Sequence, residues 1–401
     1  MIRRPTDYRA PRWLPGAHAQ TIWPALFAPR ERVDFRRERW ITPDGDFIEV
    51  DFTVAEAGAG PSQACFTPSG GGPGEARPWG RSEAGAGPSQ ACFTPSAGGP
   101  GEARPWGDSD SRRPLVVLFH GLEGDSGSHY ARALMAETVR RGWLGAVAHF
   151  RGCGGEMNLA PRAYHSGDSD EIDWILRRFA STRPNGAPLF AIGISLGGNA
   201  VLKWLGERGH DADLVSAAVA VSAPQDLAAG AASLSRGFNR VYTENFLKTL
   251  KTKSLRKLDQ HPGLFDRERM LRARTFFDFD DAVTAPMHGF RSCHDYWARS
   301  SSKPHLGGIR VPTLVLNALN DPFLPARALA RPRQVSRWVR LEYPREGGHV
   351  GFIAGRFPGH MGWMKQRLLD FLAEHAALRL RPMPDAAASS SPNDTETHRD
   401  G

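Results

Sequence analysis

Cysteine is scarce: the 401 residues hold four, Cys65, Cys92, Cys153 and Cys293, with no C-x-x-C pair and no disulfide framework for so long a chain. Neither H-E-x-x-H nor a Cys/His ligand spacing occurs, so no metal is expected. A run of about 18 apolar residues is also missing, which argues against a transmembrane helix. The opening MIRRPTDYRAPRWLPG is basic but has no apolar stretch of the secretory kind, and a cytoplasmic location is the expectation. The formal charge of +8 comes without a nucleic-acid-binding motif, so nucleic acid is not expected as a partner. Its Arg-rich stretch at 30–39 and Lys/Arg stretch at 248–257 read as solvated faces. Peripheral contact with an anionic membrane is the one further role that these stretches suggest. Oligomeric state leaves no trace in the sequence.

What is present is the composition of a soluble globular protein, with enough residues for one large catalytic domain or two ordinary ones. A tandem repeat interrupts it. EAGAGPSQACFTPSGGGPGEARPWGRS (56–82) is followed by EAGAGPSQACFTPSAGGPGEARPWGDS (83–109), the copies differing only at Gly70/Ala97 and Arg81/Asp108. A solenoid needs about three copies and a hydrophobic face. This segment is Gly, Pro, Ser and Ala with almost no periodic apolar residues, and cannot bury enough surface to offset its ordering entropy. It reads as a disordered insertion without catalytic duty, and Cys65 and Cys92 as one cysteine copied.

Around the insertion the pattern is regular. Residues 33–41 and 47–54 predict a hairpin turned at Pro43-Asp44-Gly45. Short β-rich apolar runs follow at 115–119, 144–150, 188–194, 215–222, 313–318 and 337–343. Amphipathic helical patterns separate most of them, at 128–141, 168–181 and 198–208, and a last one spans 361–378. Near-continuous apolar strands alternating with helices predict an α/β fold: a mostly parallel eight-stranded sheet with helices on both faces. The expected organisation is an N-terminal segment with the first two strands (1–55), the insertion (56–109), a core block (110–224), a helical cap (225–305), a second core block (306–382) and a disordered tail (383–401).

The strand run LFAI ends in Gly193-Ile194-Ser195-Leu196-Gly197 and a helical pattern begins at once. A G-x-S-x-G between strand and helix is the context of a nucleophile elbow, where glycines two before and two after let backbone approach backbone. A Gly-rich phosphate turn is the bland alternative, but the Lys and spacing of a P-loop are missing. A serine hydroxyl needs a base and its oxyanion needs donors. LVVLFHGLEGDSGSHY supplies an apolar strand ending at His120-Gly121, so the Leu122 and Leu196 amides are the expected oxyanion donors. Asp321 follows one later strand and His349, flanked by Gly347, Gly348 and Gly351, follows the last. Each is an ordinary loop residue alone. In the order Ser, acid, His at strand carboxyl ends, they form an expected triad of Ser195, Asp321 and His349.

Other candidates are weaker. Asp278, Asp280 and Asp281 lack an EF-hand glycine, and Asp280 reads as structural or as a pocket wall. Asp168 and Glu171 have helix-capping spacing. His129, His149 and His165 read as structural or pocket-lining. His120, Phe277 and Trp297 are candidate pocket residues. Phe238, Tyr242, Phe246 and Phe276 could line an acyl pocket or simply be cap core.

Taken together, LPGAHAQTIWPALF (14–27), HGLEGDSGSHY (120–130), HFRGCGGEMN (149–158), GISLGGN (193–199), DFDDAVTAPMHGF (278–290), ALNDPF (318–323) and GGHVGF (347–352) resemble the YheT-like branch of the α/β-hydrolase superfamily. That branch is related to the eukaryotic ABHD1/ABHD3-type hydrolases and to yeast acyl-ester synthases. The spacing from Asp280 through Gly289-Phe290, Asp295-Tyr296, Ser301, Ile309 and Pro312 to Asn320-Asp321 fits as well. Two departures stand out: Trp297 where the family usually has Tyr, and the repeat. The resemblance implies a cofactor-free, carboxylesterase-type serine hydrolase of small-molecule or lipid esters, its triad on Ser195, Asp321 and His349. Acyl transfer to an alcohol, and a non-catalytic lipid- or protein-binding role, are the alternatives.

Overall fold

All eight predicted strands form and join one sheet in a computed structural model of the chain, which describes residues 8–54, 112–184 and 186–379. The insertion expected at 56–109 and the tail expected at 383–401 lie outside the described residues. Helix α1 (Ala17–Phe27) leads into the hairpin β1 (Phe35–Ile41) and β2 (Phe47–Thr53), paired with Trp40 opposite Ile48. Then β3 (Leu115–Phe119), α2 (His129–Arg140), β4 (Leu144–Ala148), α3 (Ser169–Ser181), β5 (Leu189–Ile194), α4 (Leu196–Arg208) and β6 (Ala217–Val221) alternate. The sheet closes with β7 (Thr313–Leu316) and β8 (Val339–Glu342) before the last helix, Gly362–Arg379. Strand order is β1-β2-β4-β3-β5-β6-β7-β8. Only the two pairings made by β2 are antiparallel.

The sequence pattern explains the layers. β3 through β7 are buried on both faces, as near-continuous apolar runs require. Their alternate residues feed two separate cores: Leu115, Val117 and Phe119 pack with α3 and α4, whereas Val116 and Leu118 pack with α2 and the last helix. Each such side chain contributes roughly 1.5–3 kcal/mol by leaving water.

Between β6 and β7 the alternation stops. The stretch 225–305 holds α5 (Leu227–Leu234), α6 (Asn239–Gln260), α7 (Arg267–Arg272), α8 (Phe276–Phe279), a π-helical turn (Asp280–Thr284), α9 (Ala285–Met287) and α10 (Cys293–Ser300). The last helix of the chain is therefore α11. Leu247, Phe265, Met270 and Phe279 give these cap helices a small core of their own.

Two local expectations fail because tertiary charge pairing outweighs local propensity. Asp168 stands at the N-cap of α3 without a side-chain cap and pairs with Arg162, while Glu171 pairs with the buried Arg151. Arg151 also holds Asp44 and Asp46 of the hairpin turn, and so ties the sheet edge to α3. The stretch 248–257 is only partly a solvated face. Lys257 is 2 % exposed, its Nζ donating to the carbonyls of Asn158 (2.7 Å) and Ala160 (3.0 Å), and Lys253 pairs with Glu123.

The three cap aspartates part company. Asp278 caps α8 with Thr275, and Asp281 pairs with Arg269. Asp280 is buried, accepting from Trp297 Nε1 (2.8 Å) and Thr284 Oγ1 (2.7 Å). Burial pushes its carboxyl up to about 6. The folded chain therefore binds this proton more tightly than the unfolded chain, so the carboxyl costs stability as pH rises from about 4 to about 6. An amide keeps both contacts without the charge, its oxygen accepting from Trp297 Nε1 and its Nδ2 donating to Thr284 Oγ1. Asp280→Asn is expected to gain stability relative to the wild-type chain across that window, by on the order of 2–3 kcal/mol at pH 7. Thermal melts from pH 4 to pH 8 check it; a wild-type-to-variant difference independent of pH would refute it.

Candidate active site

At the carboxyl end of β5 the chain reverses into α4 within one residue. Ser195 takes φ 51° and ψ −115°, a conformation that an L-residue holds only under constraint. Its neighbours supply that constraint. A Cβ on Gly193 would lie 2.5 Å from the Gly197 carbonyl oxygen, and one on Gly197 would lie 2.4 Å from the Phe119 carbonyl oxygen. Only glycine permits this approach, so α4 starts directly against the ends of β3 and β5. The Ser195 amide donates to Val221 O (2.8 Å), which ties the turn to β6.

Asp321 follows β7 and His349 follows β8, and the sheet brings both to Ser195. His349 Nε2 stands 2.9 Å from Ser195 Oγ, and its Nδ1 stands 2.9 Å and 3.2 Å from the two Asp321 oxygens. The Phe323 amide donates to Asp321 Oδ1 (2.8 Å), and the Phe323 ring stacks on the imidazole at 4.0 Å between centroids. The three side chains thus form one hydrogen-bonded line with its acid fully enclosed.

Reading the sequence residue by residue missed the part that holds this line in place. Gln20 and Thr21 of α1 are buried against the histidine loop. The Gln20 side-chain oxygen accepts from Asn320 Nδ2 (2.9 Å) and from the Gly347 amide (2.9 Å), and Thr21 Oγ1 accepts from the His349 amide (2.9 Å). Asn320 Oδ1 completes the clamp by accepting from Gly348 (3.0 Å). A Cβ on Gly351 would lie 2.0 Å from Gln20 O, so this loop seats α1 only with glycine there. The signal was present in the stretch 14–27, but nothing local linked it to a loop more than 320 residues away.

After β3 the chain forms a loop whose amides are engaged one by one. Gly121 N donates to the Tyr130 hydroxyl (2.9 Å) and Glu123 N to the Tyr164 hydroxyl (2.9 Å). Between them Leu122 N has no partner among the described residues, and neither does Leu196 N, although Ser195 N and Gly197 N both do. Two free amides therefore flank Ser195. His120, expected to line the pocket, does not. It is wholly buried, its Nδ1 2.7 Å from Gly121 O and its Nε2 accepting from the Phe150 amide (3.1 Å), so it fixes the loop instead.

Ser195 and His349 open into a cavity of about 630 Å³ lined by Leu227, Leu234, Phe246, Phe276, Trp297 and Phe323. Trp297 stands among these lining residues. Phe277 does not: it is 45 % exposed on the outer side of α8, packing on His294 and Trp297, because the helix turns its neighbour Phe276 inward. A second cavity of about 820 Å³ lies beyond the Leu122 loop, under α6 and the π-helical turn. His165 and His288 line it with rings 4.6 Å apart, and burial lowers both to about 3, which leaves them polar and uncharged. Burial also lowers Lys257. Phe238 and Tyr242 lie outside both cavities, packed on His18 of α1.

Residues 114–355 match the family model described as the alpha/beta hydrolase fold. Over 360 residues the chain is 33 % identical to the Escherichia coli protein named "Putative esterase YheT"; the match covers 89 % of this chain and 90 % of that one. It is 30 % identical over 269 residues to phospholipase ABHD3 of Mus musculus, covering 65 % and 64 % of the two chains. With the monoacylglycerol lipase of Saccharomyces cerevisiae it shares 28 % over 273 residues, covering 66 % of this chain and 60 % of the lipase. A mostly parallel eight-stranded sheet, a serine on its strand-to-helix turn and these relatives lead to one conclusion: the chain belongs to the α/β-hydrolase fold family, in its YheT-like branch.

Proposed function

We propose that the protein is a serine carboxylic-ester hydrolase working through Ser195, His349 and Asp321 and an acyl-enzyme. The observation that carries this reading is the unbroken hydrogen-bonded line from Ser195 Oγ through His349 to Asp321, opening into an apolar cavity. His349 Nε2 takes the Ser195 proton as Oγ attacks the ester carbonyl. The resulting oxyanion accepts from Leu122 N and Leu196 N; each such donor is worth roughly 3–4 kcal/mol in the transition state. His349 then gives its proton to the departing alcohol oxygen, and a water molecule repeats the sequence on the acyl-enzyme. Asp321 orients the ring and stabilises it when doubly protonated.

Ser195→Ala is expected to lower turnover of an ester panel by about 10³-fold or more and to abolish labelling by a fluorophosphonate. Release of free acid from each ester is the readout, and unchanged turnover would overturn the mechanism. Tyr130→Phe leaves the buried Gly121 amide without its acceptor and lets the oxyanion loop shift. Its expected effect is a fall in kcat of about tenfold with little change in KM, since the loss falls on the transition state. Steady-state kinetics on a short-chain ester separate the two constants.

A further inference from the structure

The two cavities meet at a neck formed by Leu122, Ser166, Leu196, Phe276, Asp280 and Tyr296, each of which lines both. Leu122 and Leu196 are the residues with free amides, so an ester carbonyl held by them sits in the neck. Its two substituents leave the carbonyl carbon in different directions, one toward each cavity. Which goes where follows from the proton. Ser195 and His349 line only the smaller cavity, and the leaving oxygen has to reach His349 Nε2. The alcohol arm therefore occupies that cavity, and the acyl arm is left with the larger one.

The larger cavity changes character along its length. Phe279, Leu250, Val283 and Met287 give it apolar walls from the cap, and its remaining walls include Lys257 and Asn158. Asn158 is 1 % exposed. Its Nδ2 donates to Asp46 Oδ2 (2.7 Å) and to Arg162 O (2.8 Å), which fixes the orientation of the amide, and its Oδ1 has no partner among the described residues. Lys257 Nζ spends two protons on the Asn158 and Ala160 carbonyls and keeps a third. The cavity is thus lined by one residue whose buried side-chain acceptor is unpaired and by another whose buried donor, bonded to backbone carbonyls, has one proton to give. An alkyl end satisfies neither, and a carboxylate satisfies only the lysine. A hydroxyl both donates and accepts.

We propose that the cavity beyond the oxyanion loop is the acyl compartment, and that it is built for an acyl chain bearing a hydroxyl group. The proposal rests on the serine-hydrolase reading above, and its test separates the two. p-Nitrophenyl acetate, octanoate and a set of positional hydroxyoctanoate isomers share one alcohol and differ only in the acyl arm. At least one hydroxyoctanoate is expected to exceed octanoate in kcat/KM by about tenfold, the worth of a recovered buried hydrogen bond. If none exceeds octanoate, the hydroxyl assignment falls.

Val283→Phe fills the larger cavity from the π-helical turn and is expected to cut the octanoate-to-acetate ratio by about tenfold or more. Gly230→Leu enters the smaller cavity from α5, where an added Cβ meets nothing closer than 3.7 Å. It is expected to lower the ratio of bulky-alcohol to ethyl acetates instead. The reverse pattern would overturn the compartment assignment. Circular dichroism and thermal melts verify that each variant folds; Ser254→Leu, which narrows the larger cavity from α6, asks the same question if Val283→Phe does not. Acetate turnover that survives Ser195→Ala would overturn the hydrolase reading itself, a result distinct from either failure above.

Discussion

Ser195 sits in a backbone conformation that the surrounding sheet has to enforce. Its turn survives only because Gly193 and Gly197 let three pieces of backbone meet at distances that a single Cβ would forbid. The same strain recurs around it. Glu123, Ser222, Val350 and Phe352 also hold positive φ, each in a segment that follows the carboxyl end of a strand. Ser222 Oγ accepts from the Val350 amide (3.0 Å), so two strained residues brace each other across β6 and the histidine loop. The parallel sheet makes this affordable: strands buried on both faces form a scaffold whose apolar packing outweighs several local penalties of about 1–3 kcal/mol each.

The site is equally a product of the chain's first helix. Gln20 and Thr21 hold the amides of Gly347 and His349, and Gln20 also holds Asn320 beside the acid. Without α1 the histidine loop would expose unpaired amides and lose its reference to the sheet. The cap plays the complementary part. Its helices bring Phe246, Phe276 and Trp297 over Ser195 and carry Lys257 down onto the carbonyls beyond β4. Cap and core are thus joined by polar contacts, not by apolar packing alone.

Much of the site was legible from spacing. The Gly-x-Ser-x-Gly turn, the His-Gly pair after β3, and an acid and a histidine beyond later strands are local patterns, and each follows from what a strand end must do there. The pocket was less so. Phe276 and Phe277 are adjacent and chemically identical, and only the rotation of α8 decides which one faces the cavity. His120 is a candidate pocket residue by sequence, yet both of its nitrogens are consumed by backbone. Glu171 had capping spacing and became the partner of Arg151, since a buried guanidinium demands a counter-charge more strongly than a helix end demands a cap.

By itself the sequence determined the alternation of strands and helices, the sharp turn at Ser195 and the order in which Ser195, Asp321 and His349 follow strand ends. These are short-range properties, set by apolar period and by the places where only glycine fits. Tertiary structure alone decided that α1 clamps the histidine loop, that a cap lysine is buried against Asn158, and that two cavities share the neck at Leu122 and Leu196. The physical reason is distance along the chain. Such contacts join residues about a hundred to more than three hundred positions apart, and no local pattern encodes which distant surface a helix will meet.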